Sequence, residues 1–482
     1  MRWTAYYCFF LDVATSSPAG VVPMPLTTDK LRAASVAPIR HVFNGVVRSS
    51  RPMKPVLQVA LDLIHGDRAL KICADAVKGG VDWIEAGTPL IKSEGMDIVR
   101  KLKKAFPRHT VVADMKTIDV GGAEVEIAAK SGADIVVVLG VSSDPTITEA
   151  IASARQYGAK VMVDLFNVKD KARRAKQVER MGADYICVHV GVDEQMVGGT
   201  PLSELKGLAK AVGIPIAAAG GINSETAPDV VRAGASIVIV GGAIIKAKDV
   251  AGAARKIKKA ISTGKAQTTE LFKKYSEKGL FEAFMKVSSP NVADAQHKKG
   301  AMKGIHPRVA HGIKMVGRAL TVHTVNGDWA KPVEAIDKAR PGDVIVIDAG
   351  SGDIAVWGEL ASWSCKTKGV AGVVIDGAAR DIDSIVEMQF PCFSRHIASN
   401  AGEPKGYGGI GHEITCGGVT VRSGDWIIGD ESGVVVVPQE HAVEVANRAL
   451  DVLERENRLR EEIKKGGTLS SALSLEKWEK VG

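Results

Sequence analysis

Cysteine is scarce in this sequence, and what there is never clusters. Cys8, Cys73, Cys187, Cys365, Cys392 and Cys416 lie far apart and share no Cys-x-x-Cys spacing. That excludes a clustered zinc site and a disulfide framework, and it fits a reducing cytoplasm. Long apolar runs are missing as well. None approaches the roughly 20 residues that a membrane helix needs, so no membrane partner is expected. The apolar stretch near the start is short and is cut by Asp12, which argues against an export signal. Aromatic residues make up only 5% of the chain. The net charge of +8 therefore has no aromatic-studded basic stripe to go with it, and reads as Lys and Arg dispersed along helices rather than as a nucleic-acid face.

What is present is ample for folding. A hydrophobic fraction of 45% over 482 residues supports a large core, and the length implies two or three domains. Residues 1–53 stand apart: rich in Ser, Pro and Thr and without a sustained period, they read as an extension, disordered or preceding a start at Met53.

From Pro55 onward, short β-rich runs alternate with helical stretches. The runs are 55–62, 83–86, 110–116, 134–140, 160–166, 185–190, 215–221 and 236–242. Continuous apolar segments such as Ile135–Leu139 suit strands covered on both faces. Gly80-Val-Asp-Trp, Gly132-Ala-Asp-Ile, Gly182-Ala-Asp-Tyr and Gly234-Ala-Ser-Ile recur at intervals of 52, 50 and 52 residues. Each Gly can end a helix in the left-handed conformation before the chain enters a strand. Four periods of two βα units predict a closed (β/α)₈ barrel over 54–263.

Residues 264–279 read as a linker and a helical segment, with Gly264–Thr269 short and polar, so the two halves are expected to work separately. Over 280–482 the strands 316–325, 343–349, 370–376, 418–421 and 433–437 come without strict alternation, which predicts a second α/β domain of another kind. The charged amphipathic stretch 440–465 reads as a solvated helix packing by one face.

In such barrels the active site lies at the C-terminal ends of the strands. Those ends carry Asp62, Glu85, Asp114, Lys116, Asp164 and His189. Two carboxylates about 4 Å apart repel by roughly 4 kcal/mol at an effective dielectric near 20, so they need a cation between them. Lys116 or a hard divalent ion would serve. In Asp114-Met-Lys-Thr-Ile-Asp119 the strand period of two points Asp114 and Lys116 to the same side, and Asp119 follows at the turn. Gly220-Gly221 and Gly241-Gly242 end the last two strands, where backbone N–H groups can cradle a phosphate.

Together these residues resemble the orotidine-monophosphate-decarboxylase superfamily over 54–263. The stretch His189-Val-Gly-Val-Asp-Glu-Gln195 is similar to the hexulose-phosphate synthase branch. The 3-keto-gulonate-6-phosphate decarboxylase branch, the alternative, carries Arg where this chain has Val192. The resemblance implies a lyase that joins formaldehyde to ribulose 5-phosphate, or runs in reverse to supply ribulose 5-phosphate. It implies Mg²⁺ or Mn²⁺ held by Glu85 and Asp114, Lys116 facing the enediolate, Asp62 orienting hydroxyls and His189 moving the proton. It also implies a homo-oligomer in which Asp119 reaches the partner's site.

In the second half, Arg380 in Gly377-Ala-Ala-Arg-Asp381 can clamp a carboxylate and Asp381 can hold a metal, while amides near Glu359 and Leu360 can bind an oxyanion. An ion-paired turn explains the same spacing. Asn291-Val-Ala-Asp294, Gly358-Glu-Leu360, Gly377–Asp381 and Gly429-Asp-Glu-Ser-Gly433 resemble the RraA family. That resemblance implies a swivelling β/β/α fold and self-association, with either a ribonuclease partner or a metal-dependent oxo-acid aldolase activity.

Overall fold

A computed structural model describes residues 54–475 except 198, 271 and 474; the extension 1–53 lies outside the described residues. No helix among the described residues is long and apolar enough to cross a membrane.

The eight expected strands form, six of them shorter than the apolar run that announced them, β2 with the expected bounds and β3 one residue longer. They are β1 Val56–Leu61, β2 Trp83–Ala86, β3 Thr110–Thr117, β4 Ile135–Leu139, β5 Lys160–Asp164, β6 Tyr185–His189, β7 Ile216–Ala219 and β8 Ile237–Val240. All pair in parallel in chain order, and β1 closes on β8, so the sheet has no free edge. The four repeat glycines do what their spacing implied: Gly80, Gly132, Gly182 and Gly234 take φ values of +94°, +100°, +102° and +115°. A side chain in that region is strained, and glycine turns the chain from helix to strand without that cost.

Parity along the strands decides what points inward. Ala60, Val112, Met162, Cys187 and Ala219 belong to one buried cluster inside the barrel. The alternate residues, including Val59, Leu61, Val111, Ala113, Val161, Val163 and Val188, pack outward against the helices. Two residues past the inward Ala60, Val112, Met162 and Cys187 come Asp62, Asp114, Asp164 and His189. The same alternation that fills the core therefore delivers these side chains to its open end.

Beyond the helix Val250–Thr263 the chain enters a mixed α/β domain. Its main sheet runs 433–437, 426–430, 315–323, 343–348, 372–379, 392–397 and 306–307 in spatial order. Strands 392–397 and 426–430 were not expected. The first carries Arg395 and His396 at its exposed end, and the second is five residues long and holds a glycine, so neither shows a clear period.

The C-terminal helix, Ala442–Lys464, packs by more than the one face expected of it. Ala442, Val445, Ala446, Ala449 and Leu450 join a core with Phe284 and Trp426. Its other side meets the barrel. Asn447, fully buried, donates to Met196 O at 2.8 Å and to Tyr275 O at 3.1 Å, and accepts from Tyr275 N at 2.8 Å. Arg458 donates to Ile245 O at 3.0 Å, Glu462 pairs with Arg68 at 2.5 Å, and Asp451 pairs with Lys246.

Truncating Asn447 would leave three backbone groups without their partner. Asn447→Ala should cost roughly 2–3 kcal/mol, read as a lower denaturation midpoint, because unmet buried polar groups cost about 1–3 kcal/mol each. A midpoint unchanged in Asn447→Ala would show that water replaces the amide and that this contact is not a structural anchor.

Candidate active site

The strand ends open into a cavity of about 370 Å³. Asp62, Glu85, Asp114, Lys116, Asp164 and His189 all line it, together with Gly220, Gly221, Gly241 and Gly242. Every barrel residue singled out in the sequence is thus brought together, with one exception. Asp119 is exposed outside the cavity, where its Oδ1 accepts from its neighbour Val120 N at 2.8 Å. Exposed Ile118, Val120 and Ile127 surround it in the chain.

Lys116 is the hub. Its Nζ lies 3.0 Å from Asp114 Oδ2 and 3.3 Å from Asp164 Oδ2. Burial pulls its pKa down, but Asp114 and Asp164 outweigh burial and leave it raised, so the ammonium stays charged. Its backbone sits in the left-handed region at φ +47°, and the pairing of β3 with β4 slips between Ala113 and Thr117. A non-glycine residue there costs about 1–3 kcal/mol and persists only where the surroundings impose it.

Asp164 was read as a strand-end acid without a role. Its side chain is 2% exposed and accepts from Phe166 N at 2.9 Å, while its Oδ2 lies 3.0 Å from His189 Nδ1. Burial works to raise its pKa, but the hydrogen bond and charge of His189, together with Lys116, hold it below the ordinary carboxylate range. A carboxylate on Nδ1 fixes the ring and leaves Nε2 for a substrate proton.

The other acids are under opposite pressure. Burial first, then the charges of Asp114 and Asp62, push Glu85 well above its ordinary value. Asp62 faces the open cavity, yet the walls of the cup desolvate its carboxyl and Asp114 repels it, so its pKa rises too. Lys116 is the nearby cation for all of them. Gln58 and Thr88, given no role in the sequence, complete this corner, and Gln195, the end of the motif that starts at His189, lies apart from it. Gln58 Nε2 donates to Glu85 at 2.5 Å, while its buried Oε1 has no hydrogen-bond partner among the described residues. Thr88 Oγ1 donates to Asp114 Oδ2 at 2.8 Å. Gln195 donates to Val190 O at 2.8 Å beneath the β7 loop. The parity of Gln58 with Ala60 and Asp62 would have flagged it as inward-facing.

Among the described residues no group of three or more His, Cys, Asp and Glu side chains closes into a metal-binding geometry. Even so, an excess of buried carboxylate, an orphaned amide oxygen and hard oxygen donors fit a divalent cation between Glu85 and Asp114.

In the second domain, Arg380 and Asp381 come together with the Glu359 backbone. Arg380 Nε is 3.5 Å from Asp381 Oδ2, and Glu359 N donates to the same oxygen at 3.2 Å. That amide is engaged by Asp381. Leu360 is 82% exposed.

Fold and cup define an aldolase-type enzyme on a (β/α)₈ barrel. Residues 55–257 match the orotidine 5'-phosphate decarboxylase / HUMPS family, and 289–436 match the RraA-like family, Aldolase/RraA. The chain is 44% identical over 206 residues to the 3-hexulose-6-phosphate synthase of Mycobacterium gastri, covering 43% of this chain and 99% of that protein. It is 42% identical over 209 residues to that of Bacillus subtilis, again covering 43% and 99%. A crystal structure of a 3-hexulose-6-phosphate synthase aligns at 43% identity over 42% of this chain and 99% of that one, with a TM-score of 0.41. Through its barrel the chain belongs to the 3-hexulose-6-phosphate synthase family, and it carries an RraA-like domain behind it.

The strain on Glu85 makes a prediction about the metal-free protein. Because the folded state holds its proton to higher pH than the unfolded chain does, Glu85 drains stability as pH climbs past the ordinary carboxylate range. Glu85→Gln keeps the acceptor for Gln58 Nε2 and offers a donor to Gln58 Oε1. With EDTA at pH 8 it should raise the thermal midpoint, and the advantage should shrink toward pH 4. An equal or lower midpoint at pH 8 would refute this account of the cup.

Proposed function

We propose that the barrel condenses formaldehyde with D-ribulose 5-phosphate to 3-hexulose 6-phosphate, with Mg²⁺ or Mn²⁺ held by Glu85 and Asp114. The observation that carries this is the His189–Asp164–Lys116 chain of contacts beside two strained carboxylates in one cavity. His189, oriented by Asp164, removes a proton from C1, next to the substrate carbonyl. The electron pair moves into the enediolate, whose negative charge faces the ammonium of Lys116. C1 then bonds to the carbon of formaldehyde, the former C=O pair becomes an alkoxide, and the proton held on His189 returns to it. Asp62 orients substrate hydroxyls, and the Gly220-Gly221 and Gly241-Gly242 backbone receives the phosphate. When bound, the divalent ion supplies Lewis-acid stabilisation of the same developing charge. The reverse reaction uses the same groups. Asp119 joins the site only from a neighbouring copy of the chain.

Incubation with ribulose 5-phosphate, formaldehyde and Mg²⁺ should yield hexulose phosphate, and EDTA should stop it. Asp114→Ala should abolish turnover while leaving the fold intact, because this carboxylate serves the cation and not the core. Asp164→Asn should lower kcat by about 10²–10⁴ through loss of a positioned base. Mg²⁺-dependent turnover at the wild-type rate in Asp114→Ala would refute the metal assignment.

For the RraA-like domain the reading is a small-molecule oxo-acid site, in which Arg380 clamps a carboxylate and Asp381 holds a metal. Supporting it, the Arg380 side chain stays 45% exposed beside Asp381 rather than closed into a buried pair. Mg²⁺-dependent release of pyruvate from 4-hydroxy-4-methyl-2-oxoglutarate, lost in Arg380→Ala, is the expected result. Capture of a ribonuclease by the intact chain without any pyruvate release would favour the regulator reading.

A further inference from the structure

The barrel cavity has one wall that does not come from the barrel. Phe272, in the segment between the domains, lines it beside Gly241 and Gly242. Its ring lies so close to Gly242 that a β-carbon there would overlap it. The placement is imposed rather than relaxed. Phe272 has φ +57°, a left-handed conformation that is strained for a non-glycine residue. Contacts from three directions hold it. Its N–H donates to Glu454 Oε1 at 2.5 Å, and its carbonyl accepts from Asn223 Nδ2 at 3.3 Å. The ammonium groups of Lys274 and Lys246 stand 4.7 and 5.4 Å from the ring centroid. Lys246 is itself paired with Asp451. Glu454 and Asp451 both belong to the C-terminal helix of the second domain.

We infer that Phe272 is a substrate-specificity residue of the barrel, closing the phosphate corner, and that the C-terminal helix holds it there through Glu454. This rests on the sugar-phosphate reading above and deepens it: the second domain acts on the barrel by setting one wall of its site. The short polar linker suggested independent halves. The segment is fastened to the barrel, with Gln267 N donating to Ser224 O at 3.0 Å and Thr269 N to Glu225 Oε1 at 2.9 Å, and it leads into this wall.

The test uses the full chain with Mg²⁺. Phe272→Ala should raise KM for ribulose 5-phosphate about tenfold, with kcat and KM for formaldehyde within about twofold of wild type, as expected for a group that touches one substrate and not the reacting atoms. Glu454→Ala should shift the same constant in the same direction. Glu454→Gln, whose amide oxygen still accepts from Phe272 N, should restore it, which a merely structural role would not require. Titration calorimetry with ribulose 5-phosphate should show the same order of affinities without relying on turnover. An unchanged affinity in Phe272→Ala would overturn the proposal. So would equal losses for both substrates that Glu454→Gln fails to rescue. A wild-type chain that binds ribulose 5-phosphate but makes no hexulose phosphate would overturn the reaction assigned above and leave the calorimetry to decide this one. A chain that binds none would overturn both.

Discussion

Everything in the barrel leads to the crowding of negative charge at the ends of its strands. Asp62, Glu85, Asp114 and Asp164 share one cup with the ammonium of Lys116. Like charges this close in a partly desolvated space would not be tolerated for packing alone. The fold supplies the restraint. A closed parallel barrel fixes strand spacing and stagger, so the carboxylates cannot drift apart to relieve their repulsion. The cup is held together around the ammonium of Lys116, and its cost is spread over a core that is buried on both faces of every strand.

Within that cup the acids divide by environment. Asp164 is held charged by His189 and Lys116, and it serves to orient both. Glu85 and Asp62 are pushed toward their protonated forms by burial and by the charge of Asp114. Groups whose surroundings move their pKa values in opposite directions are the pattern expected where one site must hold both a positioned base and a cation. Lys116 binds the two sets together, and its left-handed backbone shows that its position is imposed by the chain around it.

Much of this was legible in the sequence because it depends on period and parity. Eight apolar runs, four helix-ending glycines and a strand period of two are local signals, and they place Asp62, Glu85, Asp114, Lys116, Asp164 and His189 without knowledge of any contact. Gln58 followed the same parity but lay a turn deeper, among apolar residues, where an amide is easily read as filler. Thr88 reaches Asp114 from the first turn of the helix after β2, and no period marks it. Phe272 was out of reach altogether. It lies 210 residues after Asp62 in a stretch read as a linker, and its place in the cavity depends on a helix that begins at Ala442. Strands 392–397 and 426–430 escaped for a different reason, since short strands with charged or glycine positions carry too little alternation to stand out.

The polar character of the contact between the domains has a consequence of its own. The barrel is closed by its own eight strands, and relatives of about 206 residues are spanned almost end to end by this part of the chain. Closure therefore does not require a second domain. The helix Ala442–Lys464 nevertheless reaches it through Asn447, Asp451, Glu454, Arg458 and Glu462. Taking such groups out of water returns little net stability, but it fixes register, because a slip by one helical position would leave buried polar atoms unmatched. An apolar contact would hold the domains together in several nearly equivalent ways. This one holds a particular alignment, and the residues it aligns stand next to the glycines that end β8.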